Sequence, residues 1–489
     1  MNRRRFLFGA ASTAVASFGQ RESPAAITVE LAPPSGDWPL IPADFIGLSY
    51  ETGQLYNPSF FQQDNQPLVN AFRTLNTNGV LRLGGHLSNI TAWEGVGQDD
   101  PKQVRGVRHG IEDYWEWPLV DPVVQQNKHG ILTRKALANL RGFLDAVGWR
   151  LIYGLNFASG SAARAADEAR AVDAIMGDRL IAFVIGNEVD GFGDDPVFRA
   201  RGYGFDQYIA EYELWVKAIR EKTPNARFAG PDTDGKVDTW VLGYARRTRG
   251  DAILLTSHYY GMGPASDPTM TAKRLLSKER PELDAQIAAV ARARQAAGGT
   301  SYRMDEGNSC FGGGRRDVSD AYASALWAAD YILRVACAGF AGVNLHGGGV
   351  GVYTPIETSA SALALPRPVY YGIQFAQMFA GWRIAPCALD TSANITAYHA
   401  SQPGKTMLAL VNKGDIPVRL TLPVEFAAAN KVERWQLSGP SLDAKAGIRF
   451  ESLPRERAIA STDIDAFSAQ IFQLDEPERH HFFIGLRAK

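Results

Sequence analysis

The sequence predicts an α/β protein: a (β/α)8 TIM barrel followed by a small antiparallel β-sandwich. Two observations support this prediction. Between residues 44 and 349, short apolar runs alternate with stretches of helical apolar period, which is typical of parallel strands joined by crossover helices. Beyond about Gly381 the helical period disappears, and short strand-like runs follow one another between turn residues.

The first region contains eight predicted strands and clear helical stripes. The stretch Leu132–Val147 carries Leu137, Leu140 and Leu144 on one helical face, and Ala321–Ala338 repeats the pattern. Eight strands with crossover helices close most economically as a barrel, and an open doubly wound sheet is the alternative. The predicted strands are Phe45–Glu51, Val80–Gly85, Leu151–Phe157, Ile181–Glu188, Arg227–Asp232, Ala252–Tyr260, Tyr302–Glu306 and Val343–Gly348.

The second region is predicted to be the β-sandwich. An early segment, Ile27–Leu31, precedes the barrel and is expected to add a strand to it. We therefore predict three units: a signal at 1–25, the catalytic barrel at 40–378, and a sandwich formed by 26–38 with 379–489. The predicted sandwich strands are Ile395–Tyr398, Met407–Val411, Val418–Leu422, Val432–Leu437 and Ala469–Leu474.

The start of the chain resembles a twin-arginine export signal. Arg3, Arg4 and Arg5 precede an uncharged stretch, Phe6–Gly19, that ends in small residues. A disordered basic tail is the alternative interpretation. No later segment approaches the roughly 20 uninterrupted apolar residues of a membrane helix. The sequence thus predicts a periplasmic or secreted protein that does not associate with membranes.

Charge and cysteine content exclude several classes of function. With 51 basic and 52 acidic residues the formal charge is -1, which gives no general field for binding nucleic acid or an anionic membrane. The three cysteines are widely spread and lack Cys-x-x-Cys spacing, so neither a disulfide framework nor a structural zinc site is expected. We find no motif for a metal or an organic cofactor, and the oligomeric state is left open.

Two predicted strands end in a glutamate with a polar neighbour. Glu188 follows Gly186-Asn187 at the fourth strand, and Glu306 follows Asp305 at the seventh. Reacting groups of a (β/α)8 barrel lie at the C-terminal ends of strands, so both carboxylates are expected to face one cavity. Glycoside hydrolysis needs such a pair, because one carboxyl protonates the leaving oxygen while the other attacks the anomeric carbon or activates water. Two structural ion pairs are the alternative.

Several motifs resemble those of known glycosidases. Gly186-Asn187-Glu188, His258-Tyr259-Tyr260 and Asp305-Glu306-Gly307 are similar to the retaining clan whose catalytic glutamates lie at strands four and seven. More narrowly, the chain resembles glycoside hydrolase family 79, the β-glucuronidase and heparanase family. The motifs that carry the narrower resemblance are Gly47–Glu51, Arg82–Gly85, Phe311–Gly314, Val318–Asp320, Ala325–Trp327 and Val343–Gly348.

The resemblance implies a role for individual residues. Glu188 matches the acid/base and Glu306 the nucleophile, while Asn187 matches the asparagine that contacts the sugar 2-hydroxyl. Tyr260 matches the tyrosine that donates to the nucleophile, and Arg82 is placed to help hold Glu306 ionised or to act as a structural arginine. The implied substrate-binding residues are Glu51, His86, Asn187, Tyr260, Phe311, Gly312, Gly313, Gly314 and Tyr353.

One position departs from the family pattern. In this family a glycine-rich loop, here Gly312–Gly314, binds the uronate carboxylate together with two tyrosine hydroxyls. Tyr353 matches one tyrosine, but Phe311 stands at the other position and has no hydroxyl to donate. The loss of one donor to a carboxylate corresponds to about 1 to 3 kcal/mol of binding.

The resemblance therefore implies a retaining exo-β-glycosidase, a β-glucuronidase that works by double displacement on a small or oligomeric glycoside. Phe311 keeps open a neutral sugar, such as a glucoside or xyloside, or a uronate ester. A glycan-binding protein that has lost catalysis is the alternative from another class. Trp93 and the loop Tyr114–Trp117 are candidates either for outer sugar subsites or for core packing.

Overall fold

The protein is described by a computed structural model that covers residues 27–95, 119–121, 123–124, 131–194, 198–358 and 363–475. The predicted export signal at 1–25 and the aromatic loop Tyr114–Trp117 lie outside these residues.

A closed barrel of eight parallel strands confirms the predicted fold class. Consecutive strands pair along the chain, and the last strand closes the ring by pairing Val343 with Ile46 of the first. In chain order the strands are β1 Ile46–Glu51, β2 Val80–Gly84, β3 Arg150–Leu155, β4 Leu180–Ile185, β5 Phe228–Thr233, β6 Ala252–Pro264, β7 Ser301–Phe311 and β8 Gly342–Gly347.

Helices surround the barrel and begin and end where local chemistry favours it. The predicted helix at 132–147 begins at Arg134, because the Thr133 hydroxyl accepts the Ala136 N–H, and ends at Gly148, which adopts a left-handed φ of 78°. No helix in the described ranges is long and apolar enough to cross a membrane. The helices are α1 Gln66–Leu75, α2 Arg134–Val147, α3 Ala162–Met176, α4 Phe205–Lys222, α5 Leu242–Arg247, α6 Ala272–Leu275, α7 Pro281–Ala296, α8 Tyr322–Cys337, α9 Pro368–Gln377 and α10 Val424–Ala427.

The interior of the barrel is polar at both ends, with an apolar layer between them. At the N-terminal end, Arg303 donates to Asn344 Oδ1 (2.6 Å) and to the Phe45 carbonyl (3.0 Å), which ties β7 to β8 and to the residue that precedes β1. An apolar layer lies above this arginine and separates it from the charged groups at the C-terminal end. That layer is formed by Val80, Ile152, Ala182, Val184, Ala229 and Leu254.

Antiparallel sheets follow the barrel, as the sequence predicts. In a six-stranded sheet the spatial order is β11 (Arg383–Cys387), β12 (Ile395–Gln402), β13 (Lys405–Asn412), β18 (Ser468–Asp475), β15 (Val432–Ser438) and β16 (Arg449–Glu456), and in a smaller sheet β14 (Val418–Thr421) pairs with β17 (Ser461–Ile464). A strand at Ile27–Thr28 adds to the smaller sheet by pairing in parallel with β14. The strands after the barrel are β9 Ile356–Thr358, β10 Ala364–Pro366, β11 Arg383–Cys387, β12 Ile395–Gln402, β13 Lys405–Asn412, β14 Val418–Thr421, β15 Val432–Ser438, β16 Arg449–Glu456, β17 Ser461–Ile464 and β18 Ser468–Asp475.

The structure corrects several predicted strand ends. β4 ends at Ile185 rather than Glu188, because Gly186 turns the chain out of the sheet with a φ of 93°. β7 continues past Glu306 to Phe311, since its partner strand β6 also runs on to Pro264 and keeps the ladder paired. The predicted division of the chain into domains stays a prediction.

A buried ion pair joins the barrel to the C-terminal sheets. Asp330 on α8 accepts hydrogen bonds from Thr396 (2.6 Å) and Tyr398 (2.6 Å) of β12. Its second oxygen bonds the ammonium of Lys413, whose side chain is 2% exposed. Since both charges are removed from water, neither is tolerated there without the other.

We therefore predict that Lys413→Met lowers the free energy of unfolding by about 3 kcal/mol, because it strands the Asp330 carboxylate. A matched control is Lys405→Met in β13, whose partner Asp475 lies 3.6 Å away in a pair that is largely exposed. The control should change stability by less than about 1 kcal/mol. Urea unfolding followed by circular dichroism measures both, and equal shifts would contradict the assignment.

Candidate active site

The two predicted catalytic glutamates converge at the C-terminal mouth of the barrel. Glu306 lies within β7, and Glu188 lies three residues beyond β4 in a left-handed conformation with a φ of 50°. The Glu188 N–H donates to the Asp232 carbonyl (2.7 Å), which fixes this unusual backbone. One carboxylate oxygen of each glutamate lies within 4.8 Å of the other.

Arg82 on β2 connects the groups around the mouth. Its guanidinium is 1% exposed and bonds Glu306 Oε2 directly. The other terminal nitrogen donates to Asp232 Oδ2 (2.6 Å) and Asn187 Oδ1 (2.7 Å). A single cation thus reaches β5, β7 and the turn after β4, and it compensates the buried negative charge of Asp232 and Glu306.

Two glycines after Arg82 leave the space that these side chains occupy. A Cβ atom on Gly84 would overlap the Arg82 guanidinium, and one on Gly85 would overlap the Glu51 carboxylate. Gly85 also has a φ of 72°, which favours glycine. The pattern Arg82-Leu83-Gly84-Gly85 is therefore explained by close packing at the site.

Glu306 is held as a carboxylate. Tyr260 donates to its Oε1 (2.8 Å), and His346 Nδ1 lies 3.6 Å from its Oε2. Burial opposes ionisation, but the positive charges of His346, His258 and Arg82 outweigh it and lower the pKa of Glu306 to about 2. A permanently ionised carboxylate is suited to nucleophilic attack.

Glu188 has a histidine on each carboxylate oxygen. His86 Nε2 lies 2.5 Å from Oε2, and His258 Nδ1 lies 2.9 Å from Oε1. Burial would raise the pKa of Glu188, but the charges and hydrogen bonds of the two histidines hold that pKa well below its usual range. Its side chain is 16% exposed, compared with 6% for Glu306, so it is the more accessible of the pair.

A second buried acidic pair lies behind Arg82. Asp232 contacts His258 Nε2 (3.3 Å) as well as Arg82, so its pKa stays below its usual range despite burial. Burial and the neighbouring Asp232 charge hold the pKa of Asp305 well above its usual range. Both effects favour the neutral acid form of Asp305 and thus disfavour a second negative charge beside Asp232.

A cavity of about 190 Å³ opens between the two glutamates. The predicted residues Glu51, His86, Tyr260, Phe311 and Tyr353 all contribute to its walls. Glu51 is fully buried and accepts the Leu87 N–H (2.8 Å), while 42% of the Phe311 side chain is exposed. The complete lining is Glu51, His86, Leu119, Glu188, Asp234, Tyr260, Glu306, Phe311, His346 and Tyr353.

Other predicted residues lie outside that wall. Asn187 directly precedes Glu188 and is 1% exposed, and Arg82 fixes the orientation of its amide. Gly312–Gly314 follow Phe311 with φ values between 79° and 91°, and the Gly313 carbonyl accepts the Val352 N–H (3.1 Å). Trp93 is 2% exposed and donates to Asp167 (3.0 Å), so it packs in the core.

Some site residues were not singled out from the sequence. Asp232, His258 and His346 all contact the glutamates or Arg82, yet no role was assigned to them. Asp232 and His346 lie next to the C-terminal ends of β5 and β8, so the criterion that selected the two glutamates would have found them. His258 lies in the middle of β6, where it pairs with Glu306 of β7, so its place in the site follows from the neighbouring strand rather than from a strand end.

Two groups of side chains come close enough to share a metal ion. Glu188, His258 and Glu306 form one, and Asp232, His258 and Asp305 form the other. Arg82 contacts Glu306 and Asp232, so one carboxylate in each group is already paired with a permanent cation. We assign no metal ligand to these residues.

The family follows from comparison with known proteins. Residues 37–332, more than half of the chain, match the model described as "Glycosyl hydrolase family 79, N-terminal domain". The chain belongs to glycosyl hydrolase family 79. This confirms the resemblance seen in the motifs, and it makes the protein a glycoside hydrolase.

Curated relatives in family 79 are distant. A β-glucuronidase of Aspergillus niger is 22% identical over 444 residues, which cover 80% of this chain and 76% of the relative. Heparanase-like protein 3 of Arabidopsis thaliana is 21% identical over 413 residues and covers 80% and 71%.

Solved structures share the fold. A 4-O-α-L-rhamnosyl-β-D-glucuronidase from Fusarium oxysporum 12S superposes with a TM-score of 0.71 at 18% identity, covering 92% of this chain and 100% of the other. A family 51 α-L-arabinofuranosidase from Bifidobacterium longum gives a TM-score of 0.67 at 15% identity, covering 93% and 99%. At these identities the likeness is evidence for the fold alone.

We predict that Tyr260→Phe slows this family 79 enzyme and moves the acidic limb of its pH profile upward. Without the hydroxyl, the Glu306 carboxylate loses a donor, so its pKa rises and Glu306 is protonated at a higher pH. The loss should reduce kcat/KM roughly tenfold or more on an aryl glycoside.

The matched control is Tyr259→Phe, since Tyr259 stacks on Tyr331 of α8 away from the carboxylates. An unchanged acidic limb in Tyr260→Phe, or an equal loss in both variants, would contradict the role given to Tyr260.

Proposed function

We propose that the protein is a retaining exo-β-glycosidase that hydrolyses β-glucuronides by double displacement. The main support is that one carboxylate oxygen of Glu188 lies within 4.8 Å of one of Glu306, and that His258 Nδ1 contacts both, at 2.9 Å and 3.8 Å. Retaining enzymes have carboxyl groups about 5 to 5.5 Å apart, whereas inverting enzymes leave about 6.5 to 9.5 Å for a water molecule. The cavity of about 190 Å³ is smaller than the roughly 300 Å³ of drug-sized pockets, which favours a single terminal sugar.

In the first step a Glu306 oxygen attacks the anomeric carbon while Glu188 protonates the aglycone oxygen. The C1–O bond breaks, its electron pair goes to the aglycone, and a glycosyl ester forms on Glu306. In the second step Glu188 removes a proton from water, which attacks C1 and releases Glu306. Net retention follows from the two inversions.

Asn187 supplies a further reason to place the sugar here. Its Oδ1 accepts from Arg82, so the amide nitrogen faces the other way. That nitrogen is buried and has no hydrogen-bond partner among the described residues. A sugar 2-hydroxyl would satisfy it, and such a bond strengthens in the transition state.

The choice of sugar is supported by the relatives rather than by the site. The β-glucuronidase of Aspergillus niger and the Fusarium oxysporum glucuronidase both act on glucuronides by name. Phe311 favours the second candidate, a neutral sugar or a uronate ester, because an exposed apolar ring replaces a hydroxyl beside the cavity.

We also infer that the arginine-rich start is a twin-arginine signal and that the protein acts in the periplasm or outside the cell. The two C-terminal sheets share one apolar core, and Val29 from the N-terminal segment is part of it. This shared core supports a β-sandwich domain. The substrate is expected to be a small or oligomeric glycoside.

The mechanism predicts that the first sugar released keeps the β-configuration. Proton NMR of the anomeric signal during hydrolysis of an aryl β-glycoside measures this directly. Glu306→Gln should reduce turnover by at least about 10⁴-fold, while Glu221→Gln on the exposed face of α4 should not affect it. Initial release of the α-anomer would contradict double displacement.

The substrate assignment predicts that an aryl β-glucuronide is hydrolysed faster than the matching glucoside and xyloside. Phe311→Tyr should increase this preference roughly tenfold or more in kcat/KM, because it restores a donor to the uronate carboxylate. A wild-type preference for the glucoside or xyloside would favour the neutral-sugar alternative.

A further inference from the structure

His86 occupies a position at the cavity that differs from that of the other histidine on Glu188. It lies directly after Gly85 and begins the short helical turn His86–Ile90. Its Nε2 lies 2.5 Å from Glu188 Oε2, and 32% of its side chain is exposed. His86 therefore contacts both the acid/base carboxylate and solvent.

His258 cannot serve as a proton reserve for Glu188. It is fully buried, and its Nε2 faces Asp232 at 3.3 Å while its Nδ1 lies 3.8 Å from Glu306. Burial disfavours its charge, but the charges of Glu306 and Asp232 outweigh burial and hold the pKa of His258 well above its usual range. The charged form of the ring is therefore favoured, and both of its nitrogens face buried carboxylates rather than solvent.

We propose that His86 and Glu188 share one proton, and that this shared proton is the one delivered to the leaving group. The proposal rests on the proposed function, in which Glu188 is the acid/base. His86 then acts through Glu188 as a positioning residue, rather than only as part of the wall that binds the sugar.

The proton balance closes over one cycle. In the resting pair the proton lies on His86 Nε2, and Glu188 is a carboxylate. As the glycosidic bond breaks, the proton moves across the 2.5 Å contact through Glu188 to the aglycone oxygen, which leaves a neutral imidazole and a carboxylate. When water attacks the glycosyl ester, its proton passes to Glu188 and back to His86, which restores the starting state.

The shared proton solves a difficulty in the electrostatics of the site. A general acid must hold a proton near the working pH, yet the two histidines hold the pKa of Glu188 well below its usual range. An imidazole beside a carboxylate releases its proton above the ordinary imidazole value of about 6.5. The pair therefore keeps a transferable proton at a pH at which Glu188 alone would be ionised.

Other titratable groups surround the His86–Glu188 pair, and their titration can also change the pH profile of the activity. Glu51, Glu306, His346 and Tyr260 face the pair across the cavity, and Asp190, Asp232, Asp234, His258 and Arg82 lie around it. Of these, Asp234 also titrates near neutrality, because burial and the Glu188 charge raise its pKa to about 6. His346 lies in the same cavity wall, so an effect is assigned to the His86–Glu188 pair only where it is lost in a His86 variant.

The test is His86→Gln, since a glutamine amide can still donate to Glu188 but cannot carry the proton. The kcat/KM of full-length wild type and variant is measured against pH, with aryl glycosides of graded leaving-group pKa. The alkaline limb should fall by about one pH unit or more in the variant. Substrates with poor leaving groups should lose roughly 10- to 100-fold, while a dinitrophenyl glycoside should lose almost nothing.

Equal losses for good and poor leaving groups with an unchanged alkaline limb would overturn the proposal and leave His86 as a sugar-binding residue. A second measurement does not depend on the variant's activity. In ¹⁵N NMR of histidine-labelled protein, His86 should titrate above about 6.5 in the wild type and lower in Glu188→Gln. Titration at one ordinary value in both would also overturn it.

Failure of the proposed function would give results that differ from those of a failed His86 proposal. An inactive wild type on every aryl glycoside, or a Glu306→Gln variant that remains active, would exclude the mechanism itself. Neither result depends on His86, so the two failures are distinguishable.

Discussion

The active site depends on one buried cation, the guanidinium of Arg82. It bonds Glu306 and Asp232 directly and orients Asn187 beside them. Without it, two carboxylates would be buried with only histidines for compensation, and a buried charge without a partner is strongly destabilising. Gly84 and Gly85 follow it because any larger residue would intrude on Arg82 or Glu51.

Arg82 bonds Glu306 but not Glu188, and the two carboxylates therefore differ in burial and in their partners. Glu306 lies on the Arg82 side, almost fully buried, and stays ionised. Glu188 lies on the open side and contacts His86, which reaches solvent. The site thus holds one carboxylate that stays ionised and one that contacts a solvent-exposed histidine, which is the arrangement that the proposed double displacement requires.

Much of this architecture could be predicted from the sequence. The eight barrel strands and both glutamates follow from apolar runs and strand ends, because the barrel imposes a regular alternation. The strand Arg449–Glu456 was missed, since it is a mostly exposed edge strand without apolar alternation. Arg383–Cys387 was missed as well, and it is a short edge strand that contains Pro386.

The finer geometry could not be predicted. His86 and Glu188 are 102 residues apart and meet only because a turn after β2 and a left-handed residue after β4 point into one mouth. Neither feature leaves a periodic signal in the sequence. The Asp232–Asp305 pair is similar, since its protonation depends on burial by neighbouring strands.

The central claim is that Glu306 forms a covalent bond to the sugar. Incubation with a 2-deoxy-2-fluoro glucuronosyl fluoride, followed by proteolysis and tandem mass spectrometry, tests it most directly. The account predicts one sugar per chain, attached to Glu306. Attachment to any other residue, or turnover of ordinary substrate with no adduct trapped, would contradict it.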